Sequence, residues 1–123
     1  MQIFQTKWFA RWATDEGLPE QVLRDAVTEI EKGLVDAYLG GHVVKKRIAL
    51  GGRGKRGGVR TVLAFQINDK AFFLYGFAKN RRANINDKEL QALKKLAAHL
   101  LAYDPNALTN AVRMGELIEI KYD

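Results

Sequence analysis

The sequence predicts an α+β domain: a small antiparallel sheet with two helices before it and one after it, followed by a short helix and a possible edge strand. Three observations predict this class. Runs of β character at 43–50, 59–67 and 71–79 succeed one another with only turn-forming residues between them, the pattern of a meander. Apolar residues recur at helical spacing on both sides of those runs. The order never alternates strands with crossover helices, so it favours helices laid on one face of an antiparallel sheet.

Each element follows from local signals. Ile3 to Gln5 reads as a short opening strand, and Thr6 caps a helix that starts at Lys7 and stops near Gly17. Pro19 suits the first turn of a second helix, with Val22, Ala26, Val27 and Ile30 on one face and Gly33 closing it. Glu20, Asp25, Glu29 and Glu31 lie on its outer face. Residues 34–42 read as a linker ending in Gly40-Gly41, after which the three strands begin. Asn68-Asp69-Lys70 is a short hairpin connection between the second and third of these strands. Asp87 caps a helix from Lys88 to about Tyr103, whose Leu90, Leu93, Ala97, Leu100 and Leu101 form an apolar stripe. Asp104-Pro105 ends it and opens a short helix that Gly115 stops; Glu116 to Tyr122 then alternates as an edge strand would.

Strand alternation assigns faces. Val44, Ile48 and Leu50 belong to the core, which turns Lys45 and Arg47 to the other side. Leu63, Phe65 and Ile67 face the core in the next strand, so Arg60, Val62 and Ala64 face away. In the strand 71–79, Phe73, Tyr75 and Phe77 share parity with Lys79, but both parities are apolar and its facing stays open. Three cations from two neighbouring strands therefore meet on a face expected to be free of helices.

The charge distribution sharpens that expectation. The 123 residues carry a net charge of +6. Residues 1–36 hold 4 basic and 7 acidic residues, 37–86 hold 11 and 1, and 87–123 hold 5 and 6. The whole excess lies in the middle, with Asp69 as its lone acid, and such a segment is a footprint for a polyanion. A surface serving solubility alone interleaves acids.

Composition excludes other chemistries. There is no cysteine, and His42 and His99 are the two histidines, so no disulfide and no metal site is expected, and no cofactor. The start carries Lys7 and Arg11 and lacks a long apolar core, so a signal peptide is not expected; the longest apolar stretch, 71–78, is too short to span a bilayer. A single cytoplasmic domain over 1–123, with an extension from about 105, is the expectation.

Seven of the eleven glycines lie between Gly40 and Gly58, and Gly52-Arg53-Gly54-Lys55-Arg56-Gly57 matches G-x-G-x-x-G. A dinucleotide fingerprint must open a helix, whereas a strand follows here, and a Walker loop needs Ser or Thr after its lysine, where Arg56 stands. What remains is a cationic hairpin loop suited to a phosphate backbone, with Lys46, Arg53, Lys55 and Arg56 as candidate contacts beside it. Lys79, Arg81 and Arg82 form a second basic cluster, and Tyr75 either packs in the core or presents its ring beside Lys79. Trp8, Phe9 and Trp12, at helical spacing, read as core rather than as a base-stacking platform. His42 and His99 read as ordinary surface or packing residues, and Tyr122 as a terminal residue able to reach a substrate base. No paired carboxylates fall in the basic region, so any reaction there runs on Lys, Arg and Tyr.

Lys45 to Phe65 (KKRIALGGRGKRGGVRTVLAF) and Phe72 to Ile85 (FFLYGFAKNRRANI), with Trp8 to Leu18 (WFARWATDEGL) in support, resemble the RelE/ParE superfamily of toxins from type II toxin–antitoxin systems. Within it they are most similar to the HigB-like RelE branch. The combination of GKRGG-x-R with YGFAKN carries the likeness, which extends over most of the chain; the segment from Pro105 to Asp123 exceeds the minimal toxin.

The resemblance implies a RelE-like sheet and helices, ribosome-dependent cleavage of mRNA, and neutralisation by a cognate antitoxin, a small helix-turn-helix protein. It implies catalytic roles for Lys45, Arg47, Arg60 and Lys79 or Arg81, with Asn80 standing where some relatives carry arginine. Guanidinium forks at Arg47 and Arg60 suit bidentate holding of non-bridging phosphate oxygens. Lys45 can stabilise charge as a cation or serve as the base, and of these the base is preferred. A Glu–His pair, present in some relatives, is absent, so orientation for in-line attack is expected to come from the ribosome. The alternatives are a ParE-like inhibitor that acts by binding DNA gyrase, and a non-catalytic RNA-binding module.

Overall fold

The computed structural model describes residues 1–50 and 54–121, with the side chains of residues 54–57 outside the description. Its elements run β1 (Gln2–Thr6), α1 (Lys7–Asp15), α2 (Glu20–Glu31), β2 (Ala37–Gly40), β3 (Val43–Leu50), β4 (Gly54–Gln66), β5 (Lys70–Ala78), α3 (Asp87–Leu101), α4 (Pro105–Arg113) and β6 (Leu117–Ile120). The strands form one sheet in the order β2-β3-β4-β5-β1-β6. The α+β class and the β3–β4–β5 meander are as expected. The opening strand adds a feature that its own residues do not disclose: β1 lies parallel to β5, with Phe4 opposite Phe72, so the sheet is mixed.

Local chemistry accounts for the helix ends. Thr6 accepts a hydrogen bond from the Phe9 N–H at 3.1 Å and caps α1. Asn86, one residue before the expected Asp87, caps α3: its side chain accepts from Glu89 N–H at 2.8 Å, while Glu89 Oε1 accepts from Asn86 N–H at 2.9 Å. Asp104 caps α4, with Pro105 in its first turn.

Several expectations are corrected. Residues 37–40, read as linker, form β2, which pairs with β3 through Ala37 opposite Lys45. Gly54–Gly58, read as loop, are the opening of β4. Ile67 does not face the core: it follows β4 and is 62% exposed.

The largest correction concerns the sheet's second face. One core joins α1 and α2 to Ile3, Val44, Ile48, Val59, Leu63, Ala71 and Phe73. A second core, on the opposite face, joins Leu93, Ala97 and Leu100 of α3 and Leu108 and Ala111 of α4 to Phe4, Val43, Val62, Ala64, Phe72 and Leu74. Helices thus cover both faces, and Val62 and Ala64, which do point away from α1 and α2, are fully buried beneath α3. This explains the two apolar parities of β5. A register shift between Val62 and Leu63 adds a second reason: Tyr75 pairs with Val62 but Phe73 with Leu63, so the strand changes its facing at Leu74.

Candidate functional site

Register places Lys45 opposite Val62, Arg47 opposite Arg60, and Arg60 opposite Phe77. Lys45, Arg47 and Arg60 therefore share the face that also carries Tyr75 and Phe77. The face was expected to be free of helices and is not: α3 and α4 pack on Val43, Val62 and Ala64, while Lys45, Arg47 and Arg60 lie along the same strands toward the β3–β4 turn.

Two motif glycines are dictated by close approach. A Cβ at Gly58 would lie 2.6 Å from the Ile48 carbonyl oxygen, so the β3–β4 hairpin narrows there only with glycine. A Cβ at Gly76 would lie 2.1 Å from the Trp12 ring, which rests directly on the β5 backbone. Trp12, together with Phe9 stacked on Phe73, seats α1 against β5.

Arg47 is exposed and Arg60 half-buried. Arg60 Nη1 is buried and, among the described residues, is the side-chain atom left without a hydrogen-bond partner. Lys45 Nζ donates to Asn84 Oδ1 at 3.5 Å, a long contact. Lys79 is exposed at the first position after β5, and Arg81 is exposed in the turn that follows.

Arg82 belongs to the site but is committed to neighbours. Its Nη1 donates to Glu89 Oε2 at 2.9 Å and to the Tyr75 hydroxyl at 3.3 Å, and its Nη2 donates to Glu89 Oε1 and to the Asn84 carbonyl. The guanidinium also lies 5.6 Å from the Phe77 ring centre. The hydrogen bond from Arg82, and after it the Asn86 N–H, holds the Glu89 carboxyl below the usual carboxylate range. The same bond to Glu89 raises Arg82 above its ordinary value.

Lys46 is separated from the cluster. Adjacent to Lys45, it points to the opposite face, is 8% exposed, and donates to the Leu34 carbonyl at 2.8 Å while pairing with Glu29 at 2.6 Å. Arg53 and Tyr122 lie outside the described residues, as do the side chains of Lys55 and Arg56, whose backbone is part of β4. Among the described residues no group of His, Asp and Glu could hold a metal ion. No described helix is long and apolar enough to cross a membrane.

Two neighbours were missed in the sequence. Glu89 is the acid that folds back onto the basic region, and the Asn86-x-x-Glu89 capping pattern placed it at the start of α3. Trp8 is half exposed and stacks on Tyr75 with ring centres 4.8 Å apart, so it is not the core residue that helical spacing suggested.

The site combines the exposed cations Arg47, Lys79 and Arg81 with the aromatic rings of Tyr75 and Trp8, a composition that suits single-stranded nucleic acid. No curated protein matches the chain. The family model of the RelE toxin of the RelE/RelB toxin–antitoxin system matches residues 1–120, nearly the whole length, and on this evidence the chain belongs to the RelE toxin family.

Proposed function

We propose that this toxin is a ribosome-dependent mRNA endonuclease of the HigB-like branch, acting in the cytoplasm and held inactive by a small helix-turn-helix antitoxin. The observation that carries the reading is the Arg47–Arg60 pair, side by side on the face that also carries Lys45, with Arg47 exposed.

Strand cleavage by the ribose 2′-OH needs a proton removed, charge on the phosphorane stabilised and the leaving oxygen protonated. Lys45 takes the 2′-OH proton; the 2′-oxygen bonds to phosphorus and the bond to the 5′-oxygen breaks. Arg47 and Arg60 hold the non-bridging oxygens through bidentate donors. Lys79, at the exit of β5, returns a proton to the departing 5′-oxygen. The products are a 2′,3′-cyclic phosphate and a 5′-hydroxyl. Glu89, engaged by Arg82, is no free base, which leaves orientation of the 2′-OH to the ribosome. Arg82 sets the position of Tyr75 and the 84–86 turn instead of binding phosphate. Lys46, paired on the other face, has no part in RNA contact.

Purified protein added to translating ribosomes, followed by primer extension on the mRNA, tests this. Discrete cuts, far slower on naked RNA, are expected. Equal rates on naked RNA contradict the ribosome's role, and intact mRNA with gyrase-linked DNA breaks contradicts the nuclease.

A further inference from the structure

We infer that the Trp8–Tyr75 stack is a platform for one nucleobase of the bound single-stranded RNA, an inference that rests on the RNA-cleaving reading above. Trp8 occupies the first turn of α1, fixed there by the Thr6 cap, and half of its surface is open. Its ring lies 4.8 Å from Tyr75 with a 20° interplanar angle, and 6.2 Å from Trp12 at 8°. Trp12 is itself seated on Gly76, and the Tyr75 hydroxyl accepts from Arg82. The ring is therefore held in place before any ligand arrives, which lowers the ordering cost of a stack.

Position gives the platform its ligand. Arg60 is opposite Phe77, so Tyr75, two residues earlier on β5, is its diagonal neighbour at about 7–8 Å. An aromatic stack that begins at Tyr75, one diagonal step from the Arg47–Arg60 pair, and ends on the half-exposed Trp8 matches a phosphate and a base of the same strand. Beyond Trp8 a groove of about 380 Å³ opens, lined by Leu96, His99 and Tyr103 among others, and gives a stacked base room. Stacking tolerates any base, so the platform would strengthen binding at one nucleotide position with a preference for the larger purine ring.

The test is an abasic scan. Hexanucleotide single-stranded RNAs, each lacking one base, are titrated against the full-length protein and against Trp8→Ala, Trp8→Phe and Arg60→Ala. Removing the base at one position is expected to weaken the unaltered protein about ten-fold and Trp8→Ala not at all, with Trp8→Phe restoring most of the effect. Tryptophan emission should be quenched on binding in the unaltered protein and not in Trp8→Phe. An identical scan in the unaltered protein and in Trp8→Ala overturns the inference; if Arg60→Ala still loses affinity in that case, only the platform fails. If Arg60→Ala also binds normally, the RNA-cleaving reading fails with it. A Trp8→Ala protein that keeps its RNA affinity but no longer retains its antitoxin assigns the ring to a protein interface and equally overturns the inference.

Discussion

Arg47 and Arg60 face one another as direct partners across the β3–β4 ladder. Like charges opposite each other on one sheet face oppose stability, and no described acid lies between them. With Arg60 Nη1 also buried and unpartnered among the described residues, the pair is an electrostatic cost to the fold, the cost that a phosphate bound as proposed above would reduce.

It follows that removing one member should not weaken the fold. Arg60→Ala is expected to melt at the same temperature as the unaltered protein or higher, with a gain of up to about 1 kcal/mol. A loss of more than about 1 kcal/mol in thermal unfolding would show that Arg60 has a structural role.

Lys46 predicts the reverse. Lys46→Ala should lower stability by about 1 kcal/mol through the lost bonds to Leu34 and Glu29, while leaving RNA binding unchanged. Lys45→Ala should leave the melt unchanged and reduce cleavage. Parallel melts and filter-binding assays on the two adjacent variants separate these roles.

The Arg82–Glu89 pair gives a pH dependence with a definite sign. Because the folded Glu89 carboxyl sits below its unfolded value of about 4.3, its contribution to stability is present above that value and is lost as pH falls through the lowered one. The raised Arg82 adds no dependence near neutrality, since it stays charged throughout. Glu89→Gln should melt below the unaltered protein at pH 7, and the gap should close on acidification; a gap that is constant from pH 7 to pH 3 would contradict the pairing.

Gly76 tests the seat of α1. Gly76→Ala places a methyl group in the Trp12 ring and should destabilise by roughly 1–3 kcal/mol, with a red shift of tryptophan emission as the ring is displaced. An unchanged spectrum and melt would mean that Trp12 does not rest there.

Much of the fold and part of the site were legible in the sequence. Helix starts at Thr6 and Asp104, the meander and the shared face of Lys45, Arg47 and Arg60 follow from capping and alternation, which are local. The parallel seat of β1 beside β5 is not, because pairing between strands nearly 70 residues apart leaves no trace in either one. The second core was hidden for a related reason: Val62 and Ala64 were correctly turned away from α1 and α2, but what covers them comes from α3 and α4. Lys46 shows the limit of counting charge, since its neighbour Glu29 arrives from another element and takes it out of the basic cluster. Trp8 shows the limit of helical spacing: Phe9 lies in the core, whereas Trp8 lies at the helix edge and meets Tyr75.

The most direct test of the account is mRNA cutting on ribosomes by the unaltered protein and by Arg60→Ala, read by primer extension with the two proteins' melts recorded beside it. Loss of one preorganised donor to the developing phosphorane charge should slow cutting by about 10²–10³-fold in a protein that is fully folded. Cutting by Arg60→Ala at the unaltered rate would contradict the account.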